Sequence, residues 1–276
     1  AHLVNFAGTD TLESLEAAMA FYGADVAGFS IPAAEHSTIT SWGPEREQEA
    51  YANMLEQFAA KDALVAVVSD SYDLDRAVGE IWCGALKDEV LRSGATNVIR
   101  PDSGDPVAPP VRVLETLWDG FGGTVNQKGA KVLNPAVRVI QGDGMTLASI
   151  RELVGRLVAE NWSLDNIAFG MGGGLLQQVN RDTMRFAMKA NAMKVADGTW
   201  HDVSKSPATD PAKASKAGSQ AVVEVGGRLT AVNFDDLGAT PDMLQVVYRN
   251  GELVRDQTFE DVRARASAQL QRLVQS

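Results

Sequence analysis

Short, largely apolar runs alternate with longer stretches whose apolar residues recur every three or four positions, and this alternation holds over the first two hundred residues. The runs are "HLVNF", "VAGFSI", "ALVAVVS", "NVIR", "VRVIQ", "NIAFG" and "RFAMKANAM". Continuous apolar runs, rather than alternating ones, predict strands buried on both faces. The stretches between them predict amphipathic helices: "DTLESLEAAMAFYG" with its glycine stop, "EREQEAYANMLEQFAA", "DSYDLDRAVGEIWCGAL", "APPVRVLETLWDGFG" and "TLASIRELVGRLVAEN". Strand and helix in this order predict an α/β fold with a parallel sheet, open or closed into a barrel.

The polar tips that follow the runs read "AGTD", "PAAEHST", "DSYD", "PDSGDP", "GDG" and "GMGGG", and five of the six carry a carboxylate. In parallel sheets and barrels the carboxyl ends of the strands gather on one face, where ligands bind. Any single aspartate there is equally well a helix N-cap. Five tips in series point to a site as well as to caps.

The rhythm breaks at residue 203. "VSKSPATDPAKASKAGSQ" is polar and aperiodic, and reads as a loop; its lysines Lys205, Lys213 and Lys216 belong either to a plain linker or to a cover over an anionic ligand. Beyond it, "AVVEVGGRLTAVNF" and "LQVVYRNGELV" predict hairpins and "FEDVRARASAQLQRLV" a final helix. The predicted division is residues 1–202 as an α/β barrel carrying the site, and residues 203–276 as a loop and part of a second, smaller α+β domain.

The 276 residues are 45% hydrophobic, ample for a core, and a barrel of alternating strands and helices typically takes ~250 residues. With 36 acidic against 25 basic residues the formal net charge is −11, which argues against nucleic acid or an anionic membrane as the main partner. No apolar run approaches the ~18 residues of a membrane span. The one cysteine, Cys83, excludes an internal disulfide, so a cytoplasmic location is expected. The sequence opens on Ala1, directly before a predicted strand, and is read as a fragment whose beginning lies upstream.

The segment "NIAFGMGGGLLQQVNRD", residues 166–182, places four glycines within five positions after a strand-like run. The dinucleotide pattern fails because position 175 is Leu175, and no Gly-Lys-Ser/Thr ending marks a nucleoside-triphosphate loop. A strand, a bare turn and a helix N-terminus make a phosphate seat, with Gly172 and Gly173 in the turn. Arg181 lies about two helical turns further on, and Lys189 follows as a further positive charge. The alternative is tight packing at a barrel corner. A phosphate seat beside carboxylates suggests a sugar phosphate, with Mg2+ held by one or two acids and the substrate's own phosphates.

"HLVNFAGTDT", "PAAEHSTITSWG", "VVSDSYD", "IRPDSGDP", "VRVIQGDG", "WSLDNIAFGMGGGLLQQVNRD" and "DPAKASKAG" occur in this order. Together they resemble the nicotinamide phosphoribosyltransferases of the type II phosphoribosyltransferase family. The resemblance is dense from His2 to Gly218 and looser beyond. It implies a distorted parallel α/β barrel with part of a second α+β domain, and transfer of ribosyl 5-phosphate from phosphoribosyl pyrophosphate to nicotinamide in NAD salvage. It implies Mg2+, ATP as a coupled co-substrate that phosphorylates His36, and a homodimer with shared active sites. By the same resemblance Glu35 orients His36, Asp10 meets the carboxamide, and Arg100 and Asp102 lie near base and ribose. Gly142 and Asp143 contact the ribose, Asp70 lies near the metal and pyrophosphate, and Gly172, Gly173 and Arg181 hold the 5-phosphate. The family's stacking aromatic, an arginine beside it and a partner-subunit tyrosine fall upstream of Ala1, so the chain alone is expected to be inactive. A nicotinate phosphoribosyltransferase is the nearest alternative, against which Asp10 argues because a carboxylate accepts from an amide but repels an acid. A non-catalytic sugar-phosphate-binding protein is the other. His2 and His201 are expected to be structural or solvated, and Trp82 and Cys83 to be packing.

Overall fold

A computed structural model describes residues 2–9, 11–170, 172–176, 178, 180 and 187–275. The chain forms two compact units, one of Ala1–Glu16 with Val26–Gln178, the other of Ala17–Asp25 with Val179–Ser276.

The first unit is built on a parallel sheet. Its strands are β1 (Leu64–Val68), β2 (Thr96–Arg100), β5 (Val137–Gln141) and β6 (Ile167–Phe169), with a small antiparallel hairpin, β3 (Gly123–Val125) and β4 (Lys131–Leu133), inserted before β5. The order is β1-β2-β5-β6, all parallel, with Val68 opposite Arg100, Ile99 opposite Val139 and Gln141 opposite Phe169. Two earlier segments continue the series at the β1 edge. Ala33 bridges Ala66 in parallel, and Gly8 bridges Phe29 in the same sense. Among the described residues six segments thus stand side by side in chain order, without the reversal that marks a doubly wound sheet.

Helices α1 (Leu12–Tyr22), α2 (His36–Thr40), α3 (Glu47–Phe58), α4 (Leu74–Arg76), α5 (Lys87–Ser93), α6 (Ala108–Phe121), α7 (Leu147–Ala159) and α8 (Gly173–Leu176) lie between the strand-like segments and after the last of them, all but α3 and α5 directly after a tip. Helix α6 shows why these sequences fold so. It opens on Pro109 and Pro110, which need no partner for a backbone N–H in the first turn. It buries Val111, Leu114 and Leu117 completely and stops at Gly122, whose φ is +68°. Each such leucine contributes about 1.5–3 kcal/mol on burial. Helix α4 passes directly into a π-helical segment, Ala77–Ala85, which buries Val78, Ile81 and Trp82.

In the second unit, β7 (Ala192–Lys194) pairs with β8 (Trp200–Asp202), β9 (Gln220–Val225) with β10 (Arg228–Asn233), and β11 (Tyr248–Arg249) with β12 (Glu252–Leu253). The last two hairpins turn on Gly226-Gly227 and Asn250-Gly251, all at positive φ, as two-residue hairpin loops require. The final helix is Phe259–Gln275.

Three predicted strands differ. "HLVNF" is a 3-10 turn, His2–Val4, because the N–H groups of Asn5 and Phe6 both close on the His2 carbonyl. "VAGFSI" keeps one bridge, at Phe29, since Pro32 has no N–H to extend a ladder. The strand drawn through "RFAMKANAM" begins only at Ala192; Arg185 and Phe186 lie outside the described residues. The β3–β4 hairpin was not predicted. Asn126 Oδ1 shapes its turn by accepting from the N–H groups of Lys128 and Ala130.

Candidate active site

The tips sort into caps and a cluster. Asp73 caps α4 by accepting from the Arg76 N–H at 2.9 Å, and Asp105 accepts from Val107 N–H at the start of α6. Thr146 caps α7 through a box with Ser149. Those side chains do local work.

The others converge. His36 is the first residue of α2, immediately after Glu35, whose extended backbone starts the helix in a capping box with Thr38. The imidazole Nε2 lies 3.0 Å from Asp70 Oδ1, and Nδ1 lies 3.9 Å from Asp102 Oδ2, too far for a hydrogen bond. Asp70 follows the end of β1 and its side chain is only 6% exposed, whereas that of His36 is 40% exposed. Its other oxygen accepts from the Asp102 backbone N–H at 2.8 Å and from the Ser103 hydroxyl. Burial works against the charged form of Asp70, but these hydrogen bonds and that of His36 outweigh it and hold the carboxyl below its ordinary range. An ionised Asp70 only accepts, so the His36 Nε2 that faces it is the donor, and among the described residues Nδ1 makes no hydrogen bond.

Arg100, the last residue of β2, forks onto both oxygens of Glu35 at 3.2 Å and reaches Asp102 Oδ2 at 3.4 Å. The hydrogen bond from Arg100 is the main reason the Glu35 carboxyl sits low. Asp102 titrates high, chiefly through burial; Arg100 and His36 oppose this, and the carboxylates of Asp70 and Asp143 add to it. Arg100 Nε is buried with no hydrogen-bond partner among the described residues. Arg100 also lines a cavity of about 320 Å3 with Thr9, Phe29, Ile31, Ile140 and Phe169. The first segment, at Gly8, and the last, at Gly170, line this same cavity.

The glycine cluster divides. A Cβ on Gly170 would stand 2.7 Å from Gly142 Cα, and one on Gly174 would stand 3.0 Å from the Met145 carbonyl. Both glycines let backbone pack on backbone. Among the described residues Gly172 has nothing within 4 Å of such a Cβ, and Gly173 begins the four-residue α8. Gly142 runs beside Asp102, where an added Cβ would stand 3.3 Å from Oδ1, and the neighbouring Asp143 is exposed. Asp10 and Arg181 lie outside the described residues; Lys189 is exposed and belongs to the second unit.

Ser103, Phe29 and Ile140 were not singled out by sequence. Ser103 sits inside the quoted "PDSGDP" tip, but a serine between two aspartates carries no signal of its own. His2, expected to be structural or solvated, lines the cavity and meets Thr9 Oγ1 at 2.9 Å.

Residues 1–254 match the nicotinate phosphoribosyltransferase (NAPRTase) family. The chain is 53% identical over 274 residues to a nicotinamide phosphoribosyltransferase of Xanthomonas campestris pv. campestris, covering 97% of this chain and 58% of that protein. It is 38% identical to one of Mycoplasma pneumoniae, over 89% of this chain and 50% of that protein. It is 31% identical to one of Acinetobacter baylyi, over 98% and 57%. The chain therefore spans little more than half the length of these relatives.

Proposed function

Because the chain belongs to the nicotinate phosphoribosyltransferase (NAPRTase) family, we propose that it supplies the phosphoribosyl-transfer site of an enzyme of NAD salvage. The donor is phosphoribosyl pyrophosphate and the acceptor nicotinamide. The bond from the anomeric carbon to a pyrophosphate oxygen breaks, and a bond to the pyridine nitrogen forms, giving nicotinamide mononucleotide and pyrophosphate. The observation that carries this reading is the convergence of His36, Asp70, Arg100 and Asp102 at the strand ends beside the cavity.

As pyrophosphate leaves, the ribose gains positive charge, and the carboxylates of Asp102 and Asp143 stabilise it. Arg100 fixes Asp102 and lines the cavity, where Phe29, Ile140 and Phe169 offer apolar surface to a flat aromatic base. His36 accepts a phosphoryl group from ATP on Nδ1, the nitrogen that Asp70 leaves free, and ADP departs. Asp102 and Asp143 repel one another electrostatically, a donor set that suits Mg2+ bound by one or two carboxylates together with substrate phosphates. When bound, Mg2+ neutralises charge on the leaving pyrophosphate. Asp70, proposed near the metal and pyrophosphate, has both oxygens engaged and first of all holds the imidazole. The open turn at Gly172 and Gly173 receives the 5-phosphate.

Six parallel segments in chain order, with the first and last lining one cavity, support a closed, distorted α/β barrel. The motif resemblance further supports a homodimer with shared sites and a cytoplasmic enzyme. Among the described residues no helix is long and apolar enough to cross a membrane.

The test uses the intact protein that carries this chain, with phosphoribosyl pyrophosphate, Mg2+ and ATP. Nicotinamide and nicotinic acid are offered separately, and mononucleotide and pyrophosphate are measured. Nicotinamide is expected to be preferred by roughly 100-fold or more, because Asp10 repels a carboxylate. Product from nicotinic acid alone would overturn the assignment of the acceptor. No pyrophosphate from either would overturn the transferase reading.

A further inference from the structure

Behind the site lies a buried polar network that the proposed reaction does not use. Glu47, in the first turn of α3, is fully buried, and its two oxygens accept from Tyr51 Oη at 2.8 Å and from Arg76 Nη1 at 2.9 Å. The Tyr51 ring stacks on Trp82 with centroids 4.7 Å apart and planes 14° apart. Trp82 Nε1–H donates to Ser69 Oγ at 3.0 Å. Ser69 Oγ donates in turn to the Val67 carbonyl at 3.0 Å, and the Ser69 N–H donates to the Arg100 carbonyl at 3.0 Å. The next residue is Asp70.

Packing alone does not call for this arrangement. Burying the Glu47 carboxylate costs free energy that apolar packing would not incur, and its cation, Arg76, is itself half exposed. What apolar groups cannot supply is direction. Three hydrogen bonds converge on Ser69, from the indole, to its own strand and to β2, and they fix the backbone that delivers Asp70 to a nearly buried position. The π-helical segment is part of the device. Its wider turn, closed by Leu86 N–H on the Ile81 carbonyl at 2.8 Å, carries Trp82, whose indole stacks on Tyr51 and donates to Ser69. Insertions of this kind gather near functional sites.

We propose that Glu47, Tyr51, Trp82 and Ser69 are positioning residues, which set the direction of Asp70 and through it the ring orientation and tautomer of His36. The inference rests on the phosphoribosyl-transfer reading for its effect on turnover, but not for its effect on His36 itself.

The experiment compares Ser69→Ala, Ser69→Thr and Tyr51→Phe in the intact protein with Leu117→Ala. Leu117 is a fully buried residue of α6 whose side chain makes no hydrogen bond. Thermal stability, kcat and KM are measured together with the nitrogen resonances of selectively labelled His36, which report which ring nitrogen is protonated. Ser69→Ala and Tyr51→Phe are expected to lower kcat roughly 10- to 100-fold with KM for nicotinamide little changed, the size of effect a small misplacement produces. Their His36 resonances move from the Nε2–H form toward a mixture, and Ser69→Thr restores both. Leu117→Ala lowers the melting temperature alone. The proposal is overturned if Ser69→Ala and Tyr51→Phe keep the wild-type kcat and His36 signature, or if Leu117→Ala reproduces their changes. Should Ser69→Ala fail to fold, Tyr51→Phe decides the matter, since it keeps the stacked ring. A wild-type protein without pyrophosphate release would refute the transferase reading, and the His36 signature would still judge the network.

Discussion

Asp70→Asn is expected to lower the ATP-driven turnover of the intact protein about 10³- to 10⁴-fold, the scale seen when a histidine is held in the wrong tautomer. The substitution preserves shape, so the loss has to come from hydrogen-bond polarity. Asp70 presents one oxygen to His36 Nε2 and the other to two donors, the Asp102 N–H and the Ser103 hydroxyl. An asparagine has one acceptor to offer. If its oxygen stays with the two donors, its NH2 faces Nε2 and forces the proton to Nδ1, the atom proposed to attack ATP. If its NH2 faces the two donors instead, the half-buried Asp102 N–H loses its partner, at a cost of up to about 1–3 kcal/mol. Either way His36 or Asp102 is misplaced. The measurement is phosphate incorporated into the protein from labelled ATP, alongside mononucleotide formation with and without ATP. The ATP-dependent part should vanish first, with the ATP-independent rate retained in larger measure. Normal incorporation of phosphate by Asp70→Asn would refute the role assigned to this pair.

Much of this site was legible in the sequence as a set of tips, because strand ends in a parallel sheet must gather on one face. The runs "ALVAVVS", "NVIR", "VRVIQ" and "NIAFG" contain β1, β2, β5 and β6 within a residue or two. Burial on both faces holds along β1 and the middle of β2, whereas β5 alternates between buried and half-buried positions and β6 is half-buried with Ala168 exposed, so the apolar runs located the strands but did not tell how deeply each is buried. What the sequence did not separate was one aspartate from another. Asp73 and Asp105 cap helices while Asp70 and Asp102 face His36, and only the turn geometry distinguishes them. Short segments failed for a related reason. "HLVNF" has too few residues to outweigh local turn hydrogen bonds, and it buries only Leu3. The network behind Ser69 was hidden more deeply. Trp82 reads as one more apolar helix position, and nothing local announces a π-helical turn or a serine thirteen residues earlier as its partner.

The glycines of the sixth tip offer the second test, because two of them make opposite demands. Gly170→Ala should be severe. Its methyl would meet Gly142 Cα at 2.7 Å, a backbone contact that no rotamer change can relieve, while Gly170 N–H is tied to the Gln141 carbonyl at 2.8 Å. Overpacking of this kind typically costs about 1–3 kcal/mol. The strain falls on the tip that carries Gly142 and Asp143, and the Gly142 backbone is itself close to Asp102. A displacement of about 1 Å there is enough to lower kcat roughly 100-fold. Gly172→Ala should differ in kind. Among the described residues nothing meets the added methyl, so the melting temperature should not change. If its backbone faces the 5-phosphate, the methyl crowds a charge-assisted hydrogen bond and raises KM for phosphoribosyl pyrophosphate about tenfold, with kcat little affected. Melting curves and steady-state kinetics on the two variants separate packing from binding. A stable, fully active Gly170→Ala would show that the close approach of the two tips is not required. An unchanged KM in Gly172→Ala would move the phosphate away from this turn.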